Sequence, residues 1–371
     1  MKMLAGEDVC VVGGGPAGLA AAIALAQDGY KLTVVDYAIP PIDKTCGEGL
    51  MPDGLSALER LGVEIPPEVG FSFKGIRFSD RHSAVVADFP SGTARGVRRT
   101  ILHDLLIKRA ITSGVSFVWG AKHVRIREGG VAIDGGFLRA RLVIGADGQN
   151  SQIRRQVGLD RIRRERRRYG FRRHYRIAPW SPYMELYWGP KCQMYVTPIA
   201  ADEVCVALIS RDSRLRLNEG LQSFPELRRR LESALSISTE MGALSVSRTL
   251  HRIYRAGLAL VGDASGSVDA ITGEGMCLSF KQAIALACCL QTGDLDDYQP
   301  RHTALMKRPR LMASLMLYLE TNSQLQKRAL TALARQPDIF KSLLAIHVGA
   351  SSTPDLCAWR LLDFGLAFLV S

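Results

Sequence analysis

Gly13-Gly14-Gly15-Pro16-Ala17-Gly18 is a GxGxxG run set between an apolar β-branched stretch, Val9 to Val12, and an alanine-rich one. The chemistry open to such a run is the holding of a pyrophosphate. Gly13 permits the tight turn, Gly15 lets the backbone approach the phosphates, and Gly18 lets a helix lie close against the strand. Pro16 and Ala17 open that helix, so its free N–H groups face the negative charge. Asp36 ends the next apolar run, KLTVVD, at a spacing suited to accepting adenosine ribose hydroxyls. This pattern indicates a dinucleotide and serves FAD and NAD equally.

Two further glycine-rich turns separate them. GADGQNS, Gly145 to Ser151, follows RLVI, and GDASGS, Gly262 to Ser267, follows LALV. An aspartate at a strand's carboxyl end can receive the hydroxyls of a polyol, and FAD carries a ribityl chain where NAD has none. Asp263, on the turn opened by Gly262, is the candidate for that contact. Gly273, Glu274, Gly275 and Met276 then open another helix, whose unpaired N–H groups suit the electron-rich edge of a reduced flavin ring. The cofactor read from these residues is FAD.

Elements must bring these turns together. Val9–Val12 reads as a strand buried on both faces, the run after Gly18 as a helix ended at Gly29, and KLTVVD as a second strand, which makes a βαβ unit. FSFKGIRFSD and AVVADF read as paired antiparallel strands, RRTILHDLLIKRAITSG as a helix, and MELYWG, QMYVTPIA and EVCVALIS as a second antiparallel group. The glycine motifs lie on both sides of these strands. The expected fold class is mixed α/β, with a Rossmann-like FAD-binding domain, an inserted antiparallel-sheet substrate domain and a C-terminal helical region. The expected boundaries are 1–70, 93–160 and 245–298 for the discontinuous cofactor domain, 71–92 and 161–244 for the substrate domain, and 299–371 for the helices.

The 371 residues suffice for this arrangement, and 47% hydrophobic with 23% charged residues is ordinary for a globular enzyme. A net charge of +12 is not ordinary and suits anionic partners. No nucleic-acid motif accompanies it, so nucleic acid is not an expected partner. The eight cysteines show neither a CxxC pair nor zinc spacing, which predicts no metal site and a reduced, cytoplasmic setting. The first strand begins within about eight residues, which leaves no room for a signal peptide, and no apolar run approaches the ~18 residues of a membrane span. Peripheral membrane contact through the C-terminal helices stays open.

In order and context, GGGPAG with Asp36, RRTILHDLL, GADGQNS and GDASGSVDAITGEG resemble flavoproteins of the para-hydroxybenzoate hydroxylase fold, over roughly the first 290 residues. CGEGL, Cys46 to Leu50, and DAITGEGM are similar to the geranylgeranyl reductase-like branch. RRYGFRRHYRIAPW with MELYWG and YVTPI resembles bacterial FAD-dependent monooxygenases associated with polyketide biosynthesis. The resemblance implies that Arg99 contacts the FAD phosphates or flanks the flavin. It further implies that Asp147 sits near the pyrophosphate and that Cys46 and Gly47 approach the isoalloxazine ring. The sequence departs from the aromatic hydroxylases at Ser265-Gly266-Ser267 and Ala270-Ile271, where they carry a histidine and prolines, and it lacks the WxWxIP segment of the halogenases.

Cys46 and His174 are the catalytic candidates. On the arginine-rich strand the alternating Arg172, His174 and Arg176 would face a cavity or an anionic partner, such as a carboxylate, a CoA-linked substrate or an acidic carrier. Arg172 and Arg176, with Trp188 and Tyr195 as core or pocket wall, are the substrate-side candidates. The leading expectation is an NAD(P)H-consuming monooxygenase that oxidises a hydrophobic aromatic or polyketide-type molecule through a flavin C4a-hydroperoxide, with NAD(P)H binding only transiently. The alternative is a flavin-dependent reductase of carbon–carbon double bonds in an isoprenoid or polyketide chain. A third reading is a non-catalytic flavin-binding partner of a biosynthetic synthase.

Overall fold

Runs such as VCVV, with Val9, Cys10 and Val11 fully buried, cannot sit at a sheet edge or face water. In the computed structural model, which describes residues 2–3, 7–189 and 192–351, they form the centre of a parallel sheet. Its order is Ser116–Trp119, Leu32–Asp36, Glu7–Val12, Gly136–Gly145, Leu258–Leu260. The chain proceeds to one side from Glu7–Val12 and returns on the other, so a crevice opens at the carboxyl ends of Glu7–Val12 and Gly136–Gly145. All three glycine turns leave from neighbouring strand ends at this crevice. The long strand Gly136–Gly145 also pairs antiparallel with Gly130–Ile133, which leads the parallel sheet into a small antiparallel flap.

Helices Pro16–Gln27 and Gly275–Gln291 pack against each other over this sheet, burying Leu19, Ile23, Leu25, Phe280 and Leu286. The first begins with proline at its first position, where the missing N–H costs no hydrogen bond.

The second sheet is mainly antiparallel, in the order Leu235–Ser236, Ile162–Arg176, Glu203–Ser210, Cys192–Ala200, Met184–Trp188, Gly75–Ser79, Ala84–Asp88. Met241–Leu250 also pairs with the long strand Ile162–Arg176. FSFKGIRFSD divides here. Gly75–Ser79 pairs with Ala84–Asp88 as the alternation predicts. Phe71–Phe73 instead joins Gly49–Leu50 and Ala94–Gly96 in a small sheet between the two large ones. The break falls at Lys74, whose N–H bonds Pro182 O at 2.9 Å, and at Gly75, where a Cβ would come within 2.0 Å of Ala87 O.

The C-terminal segment folds as Tyr298–Glu320, Ser323–Arg335 and Pro337–His347; its expected continuation from 352 to 371 lies outside the described residues. Asn322 caps the second of these helices by accepting from Gln324 N and Leu325 N, and Pro337 starts the third. Leu330, Leu333, Phe340 and Leu344 pack on the sheet face that carries Phe78, Trp188 and Tyr195. Trp188 stacks on Phe78 at 5.1 Å, and Phe340 lies 6.1 Å beyond that ring. No described helix is long and apolar enough to cross a membrane.

Candidate active site

Three glycines join the three turns by having no side chain. A Cβ on Gly18 would come within 1.8 Å of Gly13 O, one on Gly13 within 2.3 Å of Ala146 O, and one on Gly262 within 2.5 Å of the Ala17 Cβ. Gly13 and Gly262 also take φ values of 117° and 60°, which a side chain disfavours. Residues 13–18, 146–147 and 262–263, which span some 250 positions of sequence, thus meet at one crevice.

A different set of glycines borders open space. At Gly15, Gly47, Gly273 and Gly275 a Cβ would meet nothing within 4 Å. Gly15 caps helix Pro16–Gln27, and Gly275 is the first residue of helix Gly275–Gln291, so two positive helix ends face the same groove. Asp36 receives Gly14 N at 2.6 Å and Ala38 N at 2.8 Å, one on each oxygen, which leaves a lone pair on each for a ribose. Asp147 caps helix Gln152–Gln156 with one oxygen, accepting from Gln152 N and Ile153 N, while its Oδ1 is buried without a partner. Arg99 starts helix Arg99–Thr112 with its Nε buried and unpartnered. Unpaired polar atoms of this kind are few in native folds and suit a bound polar group. An open backbone cradle, two helix ends, a carboxylate at the second strand end and a third turn carrying Asp263 fit FAD.

Near the expected flavin end, Lys44 Nζ lies 3.2 Å from Asp263 Oδ2, with both side chains partly exposed. Cys46 Sγ lies 3.9 Å from Met276 Sδ and receives Glu48 N at 3.3 Å. Shielding of this thiol from solvent pushes its pKa above the ordinary cysteine value, and the Arg99 guanidinium opposes that. The Glu274 carboxylate turns away from the groove: it pairs with Arg308 at 3.2 Å and with His347 at 3.5 Å, and burial raises its pKa. Glu274 therefore meets the groove through its backbone.

The arginine strand sends its alternating side chains to different places. Arg172 and His174 are 3% and 2% exposed, so they are interior groups, whereas Arg176 stands at the surface near Asp202 and Glu203. Arg172 grips both oxygens of Asp43 at 2.8 Å, and His174 Nε2 lies 2.8 Å from Glu48 Oε2. The other Glu48 oxygen accepts from Arg99 N at 3.1 Å and lies 3.5 Å from Arg172. Glu48 holds φ at 61°, an unusual value for a residue other than glycine. Trp188 and Tyr195 are buried; the Tyr195 hydroxyl donates to Ile271 O at 2.7 Å, one residue before Thr272 of the flavin-side turn.

The sequence reading missed Asp43, Lys44, Glu48 and Ser238. Glu48 lies inside the CGEGL segment and could have been found as a charged residue in an otherwise small-residue loop. Asp43 and Ser238 carry no local signal, because their partners are 129 and 64 positions away.

The chain is similar to known proteins over most of its length. The chain is 27% identical to menaquinone reductase of Mycolicibacterium smegmatis, over 88% of this chain and 89% of the relative. It is 26% identical to digeranylgeranylglycerophospholipid reductase of Methanocaldococcus jannaschii, over 78% of this chain and 76% of the relative. The crystal structure of a flavoprotein/dehydrogenase from Cytophaga hutchinsonii superposes with a TM-score of 0.83 at 18% identity, covering 99% of each chain. The family model described as "FAD binding domain" matches residues 7–293, which takes in every turn and strand of the groove, and the chain belongs to this FAD-binding family of oxidoreductases.

Proposed function

We propose that this flavoenzyme reduces carbon–carbon double bonds in a long apolar substrate of isoprenoid type. The observation that carries the reading is the CGEGL loop. It places a shielded thiol whose pKa is raised, and which therefore stays protonated at neutral pH, between Glu48 and Met276 at the flavin end of the groove. Saturating a double bond takes two electrons and two protons, that is, a hydride and one further proton, so a protonated wall suits it. Similarity to two reductases named for isoprenoid compounds, over most of each chain, supports the same class.

Bound FAD supplies the two-electron redox chemistry. The chain's own residues do the rest. Asp36 orients the adenosine end, Gly15 and the start of helix Pro16–Gln27 hold the pyrophosphate, and Arg99 and Asp147 complete that pocket. Asp263, which is partly exposed and paired among the described residues only with Lys44, would receive the ribityl hydroxyls. Gly47, Gly273, Gly275 and Met276 bound the ring. Trp188 and Tyr195 lie beneath the C-terminal helices, and the Tyr195 hydroxyl steadies the turn at Ile271 from behind. NAD(P)H, bound transiently, serves as the electron donor, and the exposed arginines between 161 and 167 suit an anionic group on the substrate or its carrier.

The test is anaerobic. Reduced enzyme is mixed, without oxygen, with short-chain menaquinones and geranylgeranyl compounds, and the flavin spectrum is followed. Reoxidation that depends on the substrate and yields a product with one side-chain double bond saturated, as distinct from a quinone reduced only to its quinol, is the expected result. Reoxidation only on admitting oxygen, with an oxygen atom in the product, would replace this reading with the monooxygenase chemistry expected from the sequence.

A further inference from the structure

His174 and Glu48 are an ionisable pair almost wholly removed from solvent, at 2% and 1% exposure. Burying such groups is costly, and an apolar pair of similar volume would hold the fold as well. Their arrangement is that of a conduit. His174 Nδ1 lies 3.1 Å from Ser238 Oγ, and His174 Nε2 lies 2.8 Å from Glu48 Oε2, so each ring nitrogen has its own hydrogen-bond partner on an opposite side. Arg172 does not interrupt this line. Its Nη1 is 3.1 Å from Nδ1 and 3.0 Å from Nε2, and an atom equally close to both nitrogens must lie over the ring face, since an in-plane approach would collide with the carbon between them. Asp43 and Met241 hold the guanidinium there.

The two ends of the line differ. Ser238 is half-buried and lines an open surface cavity of about 820 Å³, together with Arg173, Arg176, Thr239 and Glu240. Glu48 is the neighbour of Gly47, whose Cα borders the open groove, and its backbone N–H bonds the Cys46 thiol. The charged and titratable groups around His174 are Arg172, Glu48 and Cys205, with Asp43 behind Arg172 and Arg99 and Cys46 beside Glu48.

We propose that Ser238, His174 and Glu48 form a proton path from this surface cavity to the flavin end of the groove. The path rests on the groove being the FAD site and is independent of which substrate the enzyme reduces. For each proton carried inward, solvent protonates Ser238 Oγ as the serine proton passes to Nδ1, the proton on Nε2 passes to Glu48 Oε2, and Glu48 gives it up to the reduced cofactor; the ring must turn over before a second proton can follow. No electrons move, and the imidazole exchanges one tautomer for the other. Ser238 and His174 are positioning residues, since they act through Glu48.

The test uses the FAD-loaded protein without substrate. Electrochemically reduced methyl viologen, in excess, gives up electrons without releasing protons; it delivers two electrons to the bound FAD, and one proton is taken from solvent. Stopped-flow absorbance follows the electrons, and a pH indicator in weak buffer follows the proton. In the wild type the two traces coincide. In Ser238→Ala and His174→Gly the proton trace is expected to lag by roughly tenfold or more, while Ser238→Thr restores it and added imidazole rescues His174→Gly. Coincident traces in both Ser238→Ala and His174→Gly would overturn the path, whatever the substrate proves to be. A lag in His174→Gly that imidazole leaves unchanged, with Ser238→Ala normal, would also overturn it and assign His174 a purely structural role.

Discussion

Glycine does two opposite jobs in this groove, and a methyl group tells them apart. At Gly18 the added carbon would strike Gly13 O at 1.8 Å, so Gly18→Ala must push helix from strand. The expected cost is about 1–3 kcal/mol of stability together with loss of FAD, read by chemical denaturation and by the ratio of flavin to protein absorbance. At Gly15 the backbone is extended, with φ −74° and ψ 178°, and a Cβ meets nothing. Gly15→Ala should therefore fold as the wild type does while FAD affinity drops by roughly tenfold or more, about 1.4 kcal/mol per factor of ten. Equal FAD affinity in Gly15→Ala and wild type would place the pyrophosphate elsewhere. Asp263 belongs to the same scale. Its pair with Lys44 is partly exposed and contributes little to folding, so Asp263→Ala is expected to lose FAD with the melting temperature of the apoprotein unchanged. Retention of FAD at wild-type stoichiometry and affinity would refute the ribityl contact.

At the scale of elements, helix Tyr298–Glu320 is fastened to the cofactor domain by two buried groups. The Tyr298 hydroxyl donates to Leu260 O at 3.0 Å, and His302 Nε2 lies 2.9 Å from Ser265 Oγ on the Gly262 turn. Burial is the largest cause of the His302 shift; nearby Arg310 adds to it, and together they push the pKa down to about 3. In the unfolded chain it returns to about 6.5, so the unfolded state binds the extra proton between those values. The stabilisation from a neutral His302 is thus complete above pH 6.5 and is lost as pH falls toward 3, at up to about 1.4 kcal/mol per pH unit. Denaturant midpoints measured from pH 7 to pH 4 should fall less steeply in His302→Gln than in the wild type. Parallel curves would mean that His302 takes up its proton without unfolding.

Across the whole molecule, Arg168 ties three distant regions together from a fully buried position. It reaches from the long strand of the second sheet to Asp269 at 2.9 Å, beside the flavin-side turn, and to Glu320 at the end of the first C-terminal helix, where Arg211 also pairs at 2.9 Å. Removing the cation leaves buried Asp269 without its ion partner and Glu320 with only Arg211 among the described residues, so Arg168→Met is expected to cost about 3–5 kcal/mol and to lower the unfolding midpoint in denaturant. A change below about 1 kcal/mol would show that solvent reaches the triad. The C-terminal helices are thereby part of the fold that supports the flavin-side turn, and the apolar face they cover is where Trp188 and Tyr195 lie.

The turns that meet at the groove were legible in the sequence because each is written in a local run of strand, glycines and helix start, although the contact that excludes a side chain is local only at Gly18 and reaches Ala146 from Gly13 and Ala17 from Gly262. Gly13, Gly18, Asp36 and Gly262 all lie in such runs. The alternation of a strand also told correctly that Arg172 and His174 share a face. It could not tell that this face is interior, because the groups that neutralise them, Asp43 and Glu48, come from a loop more than 120 positions earlier. Partners outside the local run likewise hid the inward turn of Glu274 toward Arg308, 34 positions on, and His347, and the departure of Phe71–Phe73 to pair with Ala94–Gly96. Local sequence determined which turns stand at the groove, since a strand end, a glycine turn and a helix start are consecutive residues. The partners of the buried charges were decided only by tertiary structure, since a charge removed from water is stabilised by whichever opposite charge the fold brings within a few ångströms, however far away it lies along the chain.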